Sequence, residues 1–150
     1  MPKRKQNENL IKNKERVQEF AEVYTPAWLV KDMCALVPDE MYDLTHTFLE
    51  PSCGSGNFLA HILERKLLCA NNPKEAIQAL STLYGVDIQK DNVQECRDRL
   101  LKICQNFPMW TEEDTKEAEK VLSYNIHCGD MLNDDIPFID KPEPKQYKLC

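Results

Sequence analysis

Apolar residues along this chain occur either in short continuous runs or at every third or fourth position. The continuous runs predict buried strands at about 45–49, 82–87 and 125–128. The wider spacing predicts helices, several of which follow a residue that suits a helix N-terminus. The predicted helices cover about 9–22, 26–37, 57–69, 74–80, 90–106 and 112–123. Thr25, Asn72 and Thr111 are the candidate N-caps.

Strands and helices therefore alternate along the chain. This order predicts an α/β fold with a Rossmann-like, doubly wound and mostly parallel sheet, in which ligands bind beyond the carboxyl ends of the strands. Glu50, Asp87 and Asp130 each lie just past the end of a predicted strand. One ligand could therefore contact all three carboxylates.

A glycine-containing turn follows the first predicted strand and leads directly into a helix. Gly54 and Gly56 match the start of a dinucleotide fingerprint, but Leu59 stands where that fingerprint has its third glycine. The spacing therefore favours S-adenosylmethionine, which has no pyrophosphate, with its methionine end over the turn beside Glu50. Asp87 could then accept hydrogen bonds from the ribose hydroxyls. In the alternative interpretation, Asp87 caps the next helix and the glycines only form a turn.

The segment LEPSCGSGNFL, residues 49–59, resembles the first motif of the N6-adenine DNA methyltransferases of restriction–modification systems. Three further segments resemble motifs of the same family: EVYTP at 22–26, GVDI at 85–88 and CGDM at 128–131. They occur in the family's order and span most of the chain. The resemblance implies a fold of the class I methyltransferase type and S-adenosylmethionine as cofactor.

The resemblance also implies which residues bind that cofactor. Tyr24 and Thr25 would contact its methionine end, and Asp87 and Ile88 its ribose and adenine. Asp130 would contact the adenine amino group. The complete predicted set is Tyr24, Thr25, Glu50, Pro51, Cys53, Gly54, Gly56, Asp87, Ile88, Asp130 and Met131.

One motif of the family is missing from these residues. The family methylates adenine with an Asn/Asp/Ser-Pro-Pro-Tyr/Phe tetrapeptide, and no Pro-Pro pair occurs in the sequence. We therefore assign no catalytic residue and expect a fold that is incomplete at the C-terminus. The predicted organisation is an N-terminal helical arm, 1–22, and the S-adenosylmethionine-binding half of a methyltransferase domain, 23–150. These residues alone should be inactive.

The resemblance implies methyl transfer to an adenine that is flipped out of double-stranded DNA. Two alternatives stay open: a non-catalytic S-adenosylmethionine-binding module or subunit, and a fragment of a same-fold RNA or protein methyltransferase. The partners expected for the full-length enzyme are double-stranded DNA and a restriction or specificity subunit. A net charge of −6 predicts weak or no DNA binding by these residues alone. The basic residues near the N-terminus, at positions 3–5, 12, 14 and 16, could contact DNA, but a solvated or frayed terminus is expected.

The seven cysteines form no Cys-x-x-Cys pair, so the sequence predicts neither a metal site nor a redox dithiol. Cys96 and Cys104 share a predicted helix face with Val93 and Leu100 and should be buried as small apolar residues. No apolar run is long enough to cross a bilayer, and the first residues lack the apolar core of a signal peptide. The expected location is the cytoplasm.

Overall fold

The computed structural model of the chain describes residues 9–20 and 22–139. Within these residues it has three strands and seven helices. The strands are β1 (Phe48–Glu50), β2 (Leu83–Asp87) and β3 (Ile126–Cys128). The helices are α1 (Lys14–Phe20), α2 (Ala27–Cys34), α3 (Pro38–Tyr42), α4 (Asn57–Leu67), α5 (Pro73–Ser81), α6 (Lys90–Gln105) and α7 (Glu112–Asn125).

The three strands form one parallel sheet in the order β1-β2-β3. In its register Glu50 lies beside Gly85, and Asp87 lies beside Cys128. Each crossover between neighbouring strands carries two helices, α4 and α5 or α6 and α7. The predicted α/β class is therefore confirmed, and the sheet is consistent with a Rossmann-like fold. The class I methyltransferase type and the missing C-terminal part stay predictions.

Two of the three predicted N-caps are present. The Asn72 side chain accepts a hydrogen bond from the Glu75 amide at 3.0 Å. Thr111 forms a reciprocal capping box with Asp114. Thr25 is not an N-cap, because α2 begins one residue later, with Pro26 in the cap position and no capping side chain. Its backbone is used in another contact, described below.

The N-terminal third of the chain differs most from the sequence prediction. The helix expected over 9–22 is limited to α1, and α3 was not predicted. Strand β1 begins at Phe48 rather than near residue 45. Lys66 explains why β1 begins late. This side chain is fully buried and its ammonium can only donate hydrogen bonds, which it gives to the backbone carbonyls of Asp43 and His46. Residues 43–46 therefore cap a buried cation instead of extending the sheet.

Most of the core lies between the sheet and helices α4, α6 and α7. The predicted apolar face of α6 is buried as expected, and its members are Val93, Cys96, Leu100 and Cys104. The six cysteines in the described part of the chain are free thiols. Cys150 and the basic residues 3–5 lie outside the described residues. No described helix is long and apolar enough to span a membrane.

Candidate functional site

A cavity of about 460 Å³ opens at the carboxyl ends of the three strands. Its walls come from the loops that follow β1, β2 and β3 and from the segment that precedes α2. Ten of the eleven residues predicted from the sequence line it: Tyr24, Thr25, Glu50, Pro51, Cys53, Gly54, Asp87, Ile88, Asp130 and Met131. The parallel sheet brings these together because all three strands end at the same edge.

The glycine turn is fixed to the end of β2 by backbone hydrogen bonds. The Cys53 amide donates to the Val86 carbonyl at 2.9 Å, and the Gly54 amide donates to Asp87 Oδ2 at 3.0 Å. Gly54 and Gly56 have φ values of +54° and +89°, a backbone region that L side chains rarely adopt. The turn therefore requires glycine at both positions.

Gly56 is the one predicted site residue that does not line the cavity. A Cβ at this position would lie 2.7 Å from Cys96 Sγ, in the core below the turn. Gly56 therefore has a packing role, and its contact with a cofactor stays a prediction. Cys53 both lines the cavity and contacts Cys96 in the core. This contact and burial raise the pKa of the Cys53 thiol, so Cys53 is a poor nucleophile.

Asp87 is 8% exposed and accepts three hydrogen bonds. Its Oδ2 receives the Gly54 amide, and its Oδ1 receives the Gln89 amide at 2.8 Å and the Asn92 side chain at 3.2 Å. Helix α6 has Gln89 in its cap position and no capping side chain, so Asp87 does not cap this helix. The carboxylate is instead fixed between the glycine turn and the start of α6, at the edge of the cavity.

Glu50 lies in the cavity wall, and within the described residues its carboxylate accepts one long hydrogen bond, from the Ser52 amide at 3.4 Å. Burial raises the pKa of this carboxyl, and the Ser52 bond opposes the shift. A cationic ligand group beside Glu50 would favour its ionised form. The Glu50 carboxylate thus has acceptor capacity left with which it could pair with an ammonium group of a ligand.

Tyr24 covers the glycine turn from the opposite side. Its ring lies 3.2 Å from where a Cβ on Gly54 would be, and its hydroxyl donates to Asn92 Oδ1 at 2.8 Å. Burial raises the pKa of the Tyr24 hydroxyl, so it remains a donor. The neighbouring Thr25 contributes its carbonyl, which accepts from Asn57 Nδ2 at 3.0 Å.

Asp130 and Met131 line the cavity from the loop after β3. The Asp130 carboxylate accepts from Asn133 Nδ2 at 2.6 Å and from the Leu132 amide at 2.9 Å, and these bonds lower its pKa. The Gly129 amide donates to the Asp87 carbonyl at 3.0 Å, which ties this loop to the end of β2. Asp130 is therefore an ionised acceptor with a fixed orientation.

The sequence analysis missed several polar residues at this site, of which Glu22, Asn57 and Asn92 make the contacts that matter most below. Glu22 and Asn57 line the cavity, and Asn92 supports it from below. Asn92 gave one usable signal: it lies four residues before Cys96, on the apolar face of α6, where a polar side chain needs a buried partner. Within the described residues, no three His, Cys, Asp or Glu side chains come together as they would around a metal ion.

Part of the chain is similar to the Type II methyltransferase M.VspI of Vibrio sp. (strain 343), with 32% identity over 93 residues. The match covers 62% of this chain and 18% of that protein, so the chain spans about a fifth of the length of the curated relative that it matches. No family model and no solved structure matches the chain. The similarity supports a relationship to methyltransferases.

Proposed function

We propose that this chain binds S-adenosylmethionine and is the cofactor-binding part of a site-specific DNA methyltransferase that modifies adenine at N6. The observation that carries the proposal is the single cavity that joins the glycine turn, Asp87 and Asp130 at the carboxyl ends of parallel strands. The similarity to a Type II methyltransferase supports the same proposal. The cavity volume also lies within the usual range for small-molecule sites.

The residues present fit the polar groups of this cofactor. Glu50 would balance the ammonium of the methionine end, and the absence of a side chain at Gly54 lets the Tyr24 ring pack against the turn beside it. Oδ2 of Asp87 retains acceptor capacity for one ribose hydroxyl, since a carboxylate oxygen can accept two hydrogen bonds and Oδ2 accepts only the Gly54 amide within the described residues, whereas Oδ1 already accepts two. Asp130 would accept from the adenine amino group. When bound, S-adenosylmethionine supplies a methyl group activated by its sulfonium.

We further propose that residues 1–150 bind the cofactor but transfer no methyl group by themselves. They contain no Pro-Pro pair, and therefore no tetrapeptide to hold the target adenine. A non-catalytic binding module or subunit is the second candidate, and the same cavity would serve it. With a net charge of −6, these residues would contribute little of the contact to DNA phosphates.

Isothermal titration calorimetry tests the cofactor assignment. We expect S-adenosylhomocysteine to bind and NADH to bind at least tenfold more weakly. Asp87→Ala should weaken binding by about 10- to 150-fold, through loss of one hydrogen bond to a charged group. The matched control is Asp98→Ala, because Asp98 is exposed on helix α6, which follows Asp87, and bonds only Gln94 within the described chain. Tighter binding of NADH, or unchanged affinity in Asp87→Ala, would contradict the proposal.

A methyl-transfer assay separates the two candidates. Residues 1–150 with labelled S-adenosylmethionine and adenine-containing duplex DNA should give no labelled DNA. If addition of a separately produced polypeptide carrying an Asn-Pro-Pro-Tyr motif restores transfer, the enzyme assignment is supported. Transfer by residues 1–150 alone would contradict the inactivity proposed here.

A further inference from the structure

Asn92 is a fully buried amide in the first turn of α6, with 0% of its surface exposed. Its Oδ1 accepts from Lys12 Nζ and from the Tyr24 hydroxyl, each at 2.8 Å. Its Nδ2 donates to Glu22 Oε2 at 2.7 Å and to Asp87 Oδ1 at 3.2 Å. An amide side chain has two acceptor and two donor positions, so all four are used.

The four partners of Asn92 come from two separate parts of the chain. Lys12, Glu22 and Tyr24 belong to the segment before α2, and Asp87 ends β2. Asn92 does not line the cavity, whereas Glu22, Tyr24 and Asp87 do. Any effect of Asn92 on a ligand must therefore pass through these wall residues.

The Asn92 side chain also separates two acids of the cavity wall. Its two N–H groups bond Glu22 and Asp87, which reduces the repulsion between these carboxylates. The second oxygen of Glu22, Oε1, is buried and makes no hydrogen bond within the described residues.

Ion pairs attach the same N-terminal segment to the surface of α6. Arg16 bridges Glu22 at 2.5 Å and Asp91 at 2.7 Å, and Lys12 pairs with Asp91 at 2.9 Å and Glu95 at 3.0 Å. Hydrogen bonds from Arg16 and Lys12 hold the pKa of Asp91 well below its usual range. Because about half of the Asp91 and Glu95 side-chain surface is exposed, these pairs add little individually. The buried amide is the stronger link.

We infer that Asn92 is a positioning residue that fixes Asp87 and holds residues 12–20 and 22–24 against the cavity, so that docking of this segment and ligand binding are coupled. The identity of the ligand rests on the proposed function; the link through Asn92 does not. Coupling between two sites is reciprocal. A bound ligand should therefore stabilise the docked segment, and loosening the segment should weaken ligand binding by the same factor.

Tryptic cleavage after Arg16 measures docking of the segment without any ligand. Asn92→Leu keeps the side-chain size but removes all four hydrogen bonds, and we expect cleavage to be at least about tenfold faster. Lys12→Met removes one partner of the amide and should accelerate cleavage about threefold or more. Lys14→Met is the matched control, because Lys14 is exposed and makes no ion pair within the described residues. Wild-type cleavage rates in both test variants would overturn the inference.

Repeating the cleavage with saturating S-adenosylhomocysteine tests the coupling, with affinities measured by calorimetry. The ligand should slow cleavage of the wild type, and Asn92→Leu should bind about 10- to 100-fold more weakly. A purely structural role for Asn92 would leave ligand protection unchanged. If the wild type binds and Asn92→Leu binds equally well, the coupling is wrong while the proposed function stands. If the wild type does not bind S-adenosylhomocysteine, the proposed function is wrong, but the cleavage rates measured without ligand still test whether Asn92 holds the segment in place.

Asn92→Leu must remain folded for this test, which a circular dichroism melt checks. If it does not fold, Lys12→Met decides, because Lys12 is partly exposed and lies outside both the core and the cavity wall. Faster cleavage and weaker binding in Lys12→Met, compared with Lys14→Met, would support the inference. No difference between these two variants would overturn it.

Discussion

Gly56→Ala should strongly destabilise the protein although Gly56 does not line the cavity. The residue has φ +89°, and an added Cβ would lie 2.7 Å from Cys96 Sγ and 3.5 Å from the Cys96 Cα. Cys96 is fully buried on α6, so it cannot move aside without shifting that helix. The substitution therefore combines backbone strain with overpacking in the core.

The two effects differ in size and can be separated. Placing an L side chain in the left-handed region costs about 1–2 kcal/mol, and overpacking a core typically costs about 1–3 kcal/mol. The expected loss in the free energy of unfolding is therefore about 2–5 kcal/mol. For a chain of 150 residues, this lowers the melting temperature by about 4–20 °C.

Urea unfolding of a double-mutant cycle tests this separation. Cys96→Ala removes the sulfur that the new methyl group would meet and should itself cost about 0.5–1.5 kcal/mol. The double variant should be less destabilised than the sum by about 1–3 kcal/mol, since only the overpacking is relieved. Gly54→Ala is the control, because its Cβ would meet the Tyr24 ring instead, and Cys96→Ala should not rescue it. Simple additivity for Gly56 and Cys96 would refute the packing explanation.

Three further predictions concern other residues. Burial raises the pKa of the Cys104 thiol from 9.0 to about 12, so this thiol ionises at a lower pH in the unfolded chain than in the folded one. The free energy of unfolding should therefore fall as the pH rises from 9 towards 12, and urea unfolding should show a smaller fall in Cys104→Ala. Burial also raises the pKa of Glu50, so affinity for S-adenosylmethionine should fall as the pH is lowered through that pKa. Calorimetry on Glu50→Gln should show weaker binding without this dependence. Thr111→Ala should lower the free energy of unfolding by about 1 kcal/mol, through loss of the α7 capping box, as urea unfolding would show.

The sheet and the positions of its acids were predictable because they depend on local patterns. Strand β2 is a continuous apolar run that ends at an acid, and Thr111 with Asp114 gives a helix start that needs no distant partner. Parallel order then places Glu50, Asp87 and Asp130 at one edge without any knowledge of side-chain contacts. Local chemistry and topology were sufficient for these features.

The predictions that were wrong concern features that depend on contacts between residues far apart in the sequence. Lys66 shortens β1 from a position twenty residues away, by bonding the carbonyls of Asp43 and His46. Asn92 bonds Lys12 across eighty positions and Tyr24 across sixty-eight. Nothing in the spacing of a single sequence states that these pairs meet, so the packing of the N-terminal segment could not be predicted from it.

The two glycines of the turn illustrate what a motif leaves undetermined. A side chain added at Gly54 would meet the Tyr24 ring of the N-terminal segment, whereas one added at Gly56 would meet Cys96 of α6. The turn is thus enclosed between two elements that Asn92 joins, since Asn92 bonds the Tyr24 hydroxyl and lies one helical turn before Cys96. A substitution at either glycine should therefore disturb more than the turn. Gly54→Ala should displace the segment and speed its cleavage, whereas Gly56→Ala should act mainly on global stability.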